Sequence, residues 1–340
     1  MSWPSGTQHR HDAMTTFPDL ATLSASLTSM LSRDLPEADG ALTIVDRRPT
    51  PHATTFPVEI VTCRLGDGSE LRLFCKHSAG KDSSAYQHRG GVAYEALVYQ
   101  DVLEPLRRPL GLSTCRYYGT QTDASTGDTW LALEFLEGVL RVNYVSDPAA
   151  LTAAARWLAT FHAANAGDPD NDRLPWLRRY DADYYLGWAR RTALFAQRLH
   201  LRFPWLATLC KRAEEGLGAL FDAPPTVIHG EYYPHNVLFD RRCGAIVPVD
   251  WESAAIGPGE IDLASLTERW PEQTVRDCIR EYLRIQRPAG TTAALESRLS
   301  AARTYLHFRW LGENPRRTAD PKRQWRFEEL RRSGEQLGLL

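Results

Sequence analysis

Nowhere in this 340-residue sequence does an apolar run approach the eighteen or so consecutive residues that a membrane-spanning helix needs. The opening stretch MSWPSGTQHRHDAMTT has no apolar segment of the kind that a secretory signal carries. Both absences lead us to expect a cytoplasmic protein with no membrane partner. No CxxC or other metal-like spacing joins the six cysteines, Cys63, Cys75, Cys115, Cys210, Cys243 and Cys278, so buried free thiols are the expectation. No charge of one sign dominates: 40 Lys and Arg stand against 42 Asp and Glu, with a net charge of -2 and a pI near 6.6. Such a chain has no global field to gather nucleic acid, although its end is locally rich in arginine. Internal repeats and low-complexity tracts are absent too.

What is present is an ordinary globular composition, 43% hydrophobic and 24% charged, in a chain of 38.3 kDa. That length suits two packed lobes, since single cores stop growing near roughly 250 to 300 residues. Residues 1–16 are polar and aperiodic and read as a flexible tail. Leu20, Leu23, Leu27, Met30 and Leu31 recur at helical spacing and predict a short amphipathic helix. PVEIVTCRL and ELRLFCKH, separated by GDG, predict a hairpin. VAYEALVYQDVLEPL predicts a helix ending near Pro105, and STCRYYGT and TWLALEFLEG predict two further strands around the turn DASTGD. Residues 17–138 thus read as a small antiparallel sheet carrying one long helix.

From residue 139 onward the pattern is mainly helical. DPAALTAAARWLATFHAANAG has Asp147 as N-cap, Pro148 in the first turn and Gly167 near its stop. Helical periodicity returns over residues 181–221 and in segments near 267–286, 290–312 and 321–337. Only IHGEYYPHNVLF and GAIVPVDWE read as short strands or extended loops in this half.

Those two stretches hold the chemistry. HGEYYPHN brings His229, Glu231 and Asn236 close together, and Asp250 follows at the end of the next apolar run, past the turn DRRCG. Two short strands would bring Glu231, Asn236 and Asp250 to one mouth. Mg²⁺ prefers hard oxygen ligands and takes only one or two from protein, leaving the rest to water and phosphates, and Asn236 and Asp250 suit that role. A separate carboxylate, Glu231, can orient a hydroxyl and accept its proton as it attacks a γ-phosphoryl group. His229 reads as a structural, hydrogen-bonded histidine that braces the loop.

On these residues the chain resembles the aminoglycoside phosphotransferase and choline kinase-like family, small-molecule relatives of protein kinases. The family's catalytic loop, His-Gly-Asp, four residues, then Asn, appears here as HGEYYPHN with Pro234 in its usual place. Its Asp-Trp/Phe-Glu metal element is similar to Asp250-Trp251-Glu252, and its Gly-x-x-x-x-Asp-Leu-Ala to GPGEIDLA, with Asp262 as the buried aspartate that steadies the loop. The resemblance implies an α+β, two-lobed protein kinase-like fold with a nucleotide-binding lobe at 17–138 and a catalytic and acceptor-binding lobe at 139–340. It implies catalytic roles for Glu231, Asn236 and Asp250, with Asn236 and Asp250 on the metal. Lys76 would contact phosphates with Glu95 as its partner, and the main chain at Glu134 and Leu136 would hold adenine. The cofactors implied are ATP or GTP and Mg²⁺, and the partner is a small molecule with a hydroxyl acceptor. TFHAAN resembles the helix end before the catalytic loop; these landmarks cover residues 60–270, and YLHFRWLG fits less specifically.

Two features depart from the family's pattern. Glu231 stands where aspartate is expected, and a displacement of about 1 Å at a positioned group changes a rate on the order of a hundredfold. The segment RRPTPHATTF lacks the glycines that wrap phosphates, leaving Thr50, Thr54 and Thr55 as donors. Bland readings stand beside these roles. A lysine at a strand end is ordinarily a solvated charge, Glu95 alone is an exposed helical glutamate, and His235, His9 and His11 are surface residues. Trp176, Tyr180, Tyr184, Tyr185 and Trp188, with Asp181 and Asp183, are either core packing or the floor of an acceptor pocket. The alternatives to a small-molecule kinase are a nucleotide-binding pseudokinase, favoured by Glu231 and the missing glycines, and a protein kinase. The lack of an Ala-Pro-Glu activation segment speaks against the second. Arg316, Arg317, Arg323, Arg331 and Arg332 tilt the acceptor away from a polycation, towards a neutral or anionic sugar, nucleoside or secondary metabolite.

Overall fold

The structure, a computed structural model, describes residues 17–33, 35, 42–50, 56–78, 86, 88–166, 173–286 and 292–340. The expected tail at 1–16, Thr54, Thr55 and Gly167 lie outside the described residues. The chain divides into two compact units. One runs to residue 82 and includes 118–135; the other comprises 83–117 and 136–340.

In the first unit, α1 (Leu20–Leu31) starts at Asp19, whose carboxylate accepts the Thr22 N–H. Leu23, Leu27, Met30 and Leu31 are buried as the spacing predicts, but Leu20, beside the cap at the solvent end, is 57% exposed. The strands are β1 (Thr43–Pro49), β2 (Val58–Arg64), β3 (Glu70–His77), β4 (Tyr117–Thr122) and β5 (Thr129–Glu134), ordered β1-β2-β3-β5-β4 in an antiparallel sheet. The predicted hairpin is β2 and β3; β1 takes Arg47, Arg48 and Pro49 out of the expected loop. The inward side chains Val61, Cys63, Leu73 and Cys75 meet the apolar face of α1, forming this unit's core. Four of the six cysteines are buried as expected, whereas Cys210 is half-buried and Cys243 is exposed. Burial pushes the Cys63 thiol up to about 12, so it acts as a small apolar filler.

The second unit opens with a helix that does not end near Pro105. It runs as α2 (Gly91–Leu97), a π turn (Val98–Leu103) and α3 (Glu104–Leu110). The π turn resets the ladder so that Pro105 falls in the first turn of α3, where its missing N–H has no partner to lose. After β6 (Val139–Arg141), α4 (Ala149–Ala164) begins where Asp147 accepts the Ala149 N–H. Then come α5 (Ala182–Phe195), α6 (Leu206–Lys211), α7 (Ala213–Leu217), β7 (Pro225–Ile228), β8 (Val237–Asp240), β9 (Ala245–Pro248) and β10 (Ala255–Pro258). The helices α8 (Glu260–Leu266), α9 (Glu272–Gln286), α10 (Thr292–Gly312), α11 (Pro315–Ala319) and α12 (Trp325–Gln336) complete it. The sequence reading gave neither β10 nor α8, which are buried throughout and so carry no amphipathic period. Among the described residues no helix is long and apolar enough to cross a membrane.

Strand pairing positions the motif loops. β7 pairs with β10, setting Ile228 against Ala255, and β8 pairs with β9, setting Val237 against Pro248. The segment 229–236 joins β7 to β8, and 249–254 joins β9 to β10. Both loops are therefore pinned side by side at both ends.

The packing of α10 on α12 buries His307, whose Nδ1 accepts a hydrogen bond from Arg326 at 3.3 Å, while Arg326 grips Glu268 with both its Nη atoms at 2.8 and 3.1 Å. Burial, then Arg326 and Arg303, push the His307 pKa down to about 3. The unfolded imidazole takes a proton near pH 6.5. Between these values the unfolded chain binds more protons, so stability is full above about pH 6.5 and falls as the solution is acidified. The thermal midpoint is expected to drop from pH 7 to pH 4.5, and His307→Gln, which keeps an acceptor, should flatten that dependence. An equal pH slope in the variant, by calorimetry, would count against the assignment.

Candidate active site

The loop 229–236 is built around a buried carboxylate. Asp262, near the start of α8, accepts the His229 N–H at 2.6 Å and the Gly230 N–H at 2.9 Å, and its Oδ2 lies 3.2 Å from His162 Nε2. The other ring nitrogen of His162 meets the Tyr282 hydroxyl at 2.9 Å. His229 braces the loop as expected: Nε2 donates to the Val249 carbonyl at 3.0 Å, which leaves Nδ1 to accept the Glu231 N–H at 3.3 Å. Gly230 has φ +79, and a Cβ there would stand 2.2 Å from the Ser253 carbonyl oxygen. Only glycine lets the two loops approach so closely.

Glu231 is buried, and its carboxylate does not face open solvent. Arg309 of α10 places Nη1 2.8 Å from it, Arg89 donates at 3.1 and 3.2 Å to its two oxygens, and His88 Nε2 lies at 3.4 Å. Burial by itself would raise the Glu231 pKa, but Arg309, His88 and Arg89 together hold it well below the usual carboxylate range. His88 is pushed down to about 4, by burial and then by Arg309. As a neutral ring whose Nδ1 accepts from the Tyr184 hydroxyl at 2.8 Å, it turns an Nε2–H towards Glu231. Arg89 also reaches Glu252 at 3.2 Å and Glu313 at 3.5 Å.

Asn236 and Asp250 come to the same end of the β8–β9 hairpin, where Val249 N–H donates to the Asn236 carbonyl at 2.9 Å. Asn236 donates its Nδ2 to the Glu231 carbonyl at 3.1 Å, which leaves the amide oxygen as an acceptor. Asp250 has φ +70, a left-handed conformation that is strained for a side chain of this kind. The turn is held from α2, where Glu95 accepts the Trp251 N–H at 3.1 Å, and Gly90 N–H donates to the Glu252 carbonyl at 2.7 Å. An amide oxygen and a carboxylate form the sparse, hard-oxygen donor set that fits Mg²⁺. Among the described residues no group of three or more His, Cys, Asp or Glu forms a denser metal site.

In the first unit, Lys76 is no solvated charge: it is 7% exposed on β3, between Val58 and Leu131, with Nζ 5.4 Å from the Phe56 ring centroid. Glu134 ends β5 opposite Leu73, and the chain passes through Leu136 into the second unit. Thr50 donates its N–H to the Val58 carbonyl at 2.9 Å.

In the aromatic group at 176–188, Tyr180, Tyr185 and Trp188 pack into the core, whereas Trp176 and Tyr184 are half-buried. Tyr180 stacks on Tyr184 at 4.0 Å, Tyr185 and Trp188 are fully buried, and Asp181 caps α5 by accepting the Tyr184 N–H. A cavity of about 320 Å³ lies along the loop itself, lined by Tyr233, His235, Trp270 and Trp310 with Glu268 and Arg326. Of the C-terminal arginines, Arg317 pairs with Glu313, Arg331 with Glu335 and Arg332 with Glu329. Arg89, Arg309 and His88 were missed in the sequence. For Arg309 a signal existed, a lone charge inside the apolar run YLHFRWLG.

The model of the phosphotransferase enzyme family matches residues 86–330, more than half of the chain. No curated protein matches. Among solved structures, the choline kinase LicA from Streptococcus pneumoniae is 12% identical with a TM-score of 0.58, over 94% of this chain and 100% of that one. The GDP complex of wild-type aminoglycoside 2'-phosphotransferase-IIIa is 15% identical with a TM-score of 0.56, over 92% and 99%. The macrolide 2'-phosphotransferase MphH from Brachybacterium faecium is 15% identical with a TM-score of 0.56, over 90% and 97%. Likeness at such identities shows the fold, an α+β protein kinase-like fold.

Gly230 and Gly244 separate backbone strain from collision. Both have positive φ, but a Cβ on Gly244 meets nothing within 4 Å. Gly244→Ala should cost about 1–2 kcal/mol of stability, and Gly230→Ala clearly more, because the loops must part. Chemical denaturation measures both; equal losses would refute the close approach.

Proposed function

The chain belongs to the phosphotransferase enzyme family and is a small-molecule kinase; we propose that it moves the γ-phosphoryl group of ATP or GTP to a hydroxyl of a small molecule, Mg²⁺-dependently, in the cytoplasm. The observation that carries this reading is the clamped pair of loops, which brings the Glu231 main chain, Asn236 and the Asp250 turn to one hairpin end. Mg²⁺ bound by Asn236 and Asp250 would supply charge to neutralise the phosphates. Lys76 adds a cation at the phosphates, and Glu95 holds the metal turn through Trp251. Linker main chain at Glu134 and Leu136 receives the base. Glu231, kept ionised by its cationic neighbours, orients the attacking hydroxyl and takes its proton.

A solved neighbour carries GDP, which supports a purine nucleotide here. The cavity along Tyr233, Trp270 and Trp310 is large enough for a sugar, a nucleoside or another ring-bearing acceptor. Arg317, Arg331 and Arg332 are internally paired, which weakens the case for an anionic acceptor over a neutral one. One observation favours a nucleotide-binding pseudokinase as the second reading: both oxygens of Glu231 are already engaged by protein.

Nucleotide consumption and phosphorylated product, measured against sugars, nucleosides, aminoglycosides and secondary metabolites, separate the two. Wild-type protein should give product; a protein that binds nucleotide but transfers to none of them supports the pseudokinase. Asp250→Ala should abolish Mg²⁺-dependent turnover with the fold intact, and Lys76→Ala should weaken nucleotide use. Unchanged turnover in either removes that residue's role. Glu231→Gln should slow transfer by roughly 10² to 10⁴-fold with nucleotide affinity nearly unchanged, and a wild-type rate in that variant would sink the proton-accepting role.

A further inference from the structure

Glu231 is one methylene longer than an aspartate, and the extra length carries its carboxylate to a guanidinium from a distant helix. Arg309 is fully buried, with Nη1 2.8 Å from Glu231 Oε1. The arginine is itself fixed: its Cζ lies 4.4 Å from the Trp310 ring centroid, and Nη2 donates at 3.3 Å to the Tyr233 hydroxyl, which also accepts from Trp310 Nε1. Tyr233 belongs to the same loop, two residues on. Arg309 therefore ties both ends of Glu231-Tyr232-Tyr233 to α10.

Arg89, 18% exposed at the side chain, meets the same Glu231 oxygen as Arg309 and divides its contacts among Glu231, Glu252 and Glu313. Among the described residues three carboxylates, Glu231, Glu252 and Glu313, meet three guanidinium groups, Arg89, Arg309 and Arg317, in one network of ion pairs. Its yield is geometric. A planar guanidinium held on an indole spans from Glu231 to the Tyr233 hydroxyl through its two Nη atoms, a fixed separation that a lysine ammonium on a flexible stem does not keep.

We propose that Arg309 is a positioning residue for phosphoryl transfer, setting the place of the Glu231 carboxylate relative to the attacking hydroxyl, with Arg89 as its partner. This rests on the kinase reading above. Arg309 touches no substrate; it acts through Glu231 and Tyr233. The longer glutamate then works only from the position Arg309 gives it.

Slow hydrolysis of Mg²⁺·ATP or Mg²⁺·GTP, with water as acceptor and inorganic phosphate as product, tests this on the full chain without a known acceptor. Arg309→Lys keeps the charge and loses the fork. Its kcat should fall about tenfold or more, with the nucleotide KM within twofold and the melting temperature close to wild type. Glu231→Asp should fall similarly, and the double variant should be no slower than the worse single one, because both changes break one contact. If Arg309→Lys does not fold, Arg89→Lys carries the same test with the same expected direction. A normal kcat in the folded lysine variant, a loss confined to KM, or additive losses overturn the positioning role alone. A wild type that hydrolyses neither nucleotide overturns the kinase reading and the positioning role with it.

Discussion

The carboxylate of Asp262 takes two consecutive backbone N–H groups, those of His229 and Gly230, out of a fully buried turn. No strand partner is available to those groups, because β7 has ended at Ile228. Left unpaired, each buried donor would cost roughly 1–3 kcal/mol, and the acid would keep only His162 as a partner. The pairing satisfies all three at once and sets the direction in which the chain leaves β7. The second loop then follows: Gly230 can lie against the Ser253 carbonyl, His229 can reach Val249, and Asp250 is forced into its left-handed turn. Strain at a potential metal ligand is thus held in place by a buried acid twelve residues along the chain.

The electrostatics around Glu231 follow from charge pairing of the same kind. A buried carboxylate is tolerated only when charge and hydrogen bonds offset its lost hydration. Here the offset comes from α10, from the segment before α2 and from the neutral His88, which is in turn held by Tyr184. The site's carboxylate and the packing of the helical unit therefore share side chains. A change in the helices is felt in the loop, and a change in the loop unpairs charges in the helices.

Local features were legible in the sequence, and long-range ones were not. The hairpin β2–β3, the apolar face of α1 and the HGEYYPHN and VDWE loops follow from period, turn residues and short spacing, all within a few residues of one another. The passage of α2 through a π turn was missed because proline reads as a stop unless the register is known to shift. Fully buried α8 and β10 show no alternation, so periodicity is blind to them. The Arg89–Glu231 contact spans 142 positions and leaves no local trace at Arg89. At Arg309 a trace exists, since a charge flanked by Phe308, Trp310 and Leu311 must be paired if the helix packs on that face. Its partner could be found only in three dimensions.

Length and partner at residue 231 constrain each other. An aspartate there would draw the carboxylate back by one methylene and leave Arg309, fully buried and stacked on Trp310, without its closest acid. Breaking a buried pair by withdrawing one member costs about 3–5 kcal/mol, much more than the pair itself contributes. Replacing Arg309 by an apolar residue would equally leave Glu231 with the neutral His88 and with Arg89, which it shares with Glu252 and Glu313. Neither residue can change alone without penalty to the other. The glutamate is therefore not a longer copy of an aspartate in an unchanged site, but one half of a pair whose other half belongs to the core of the helical unit.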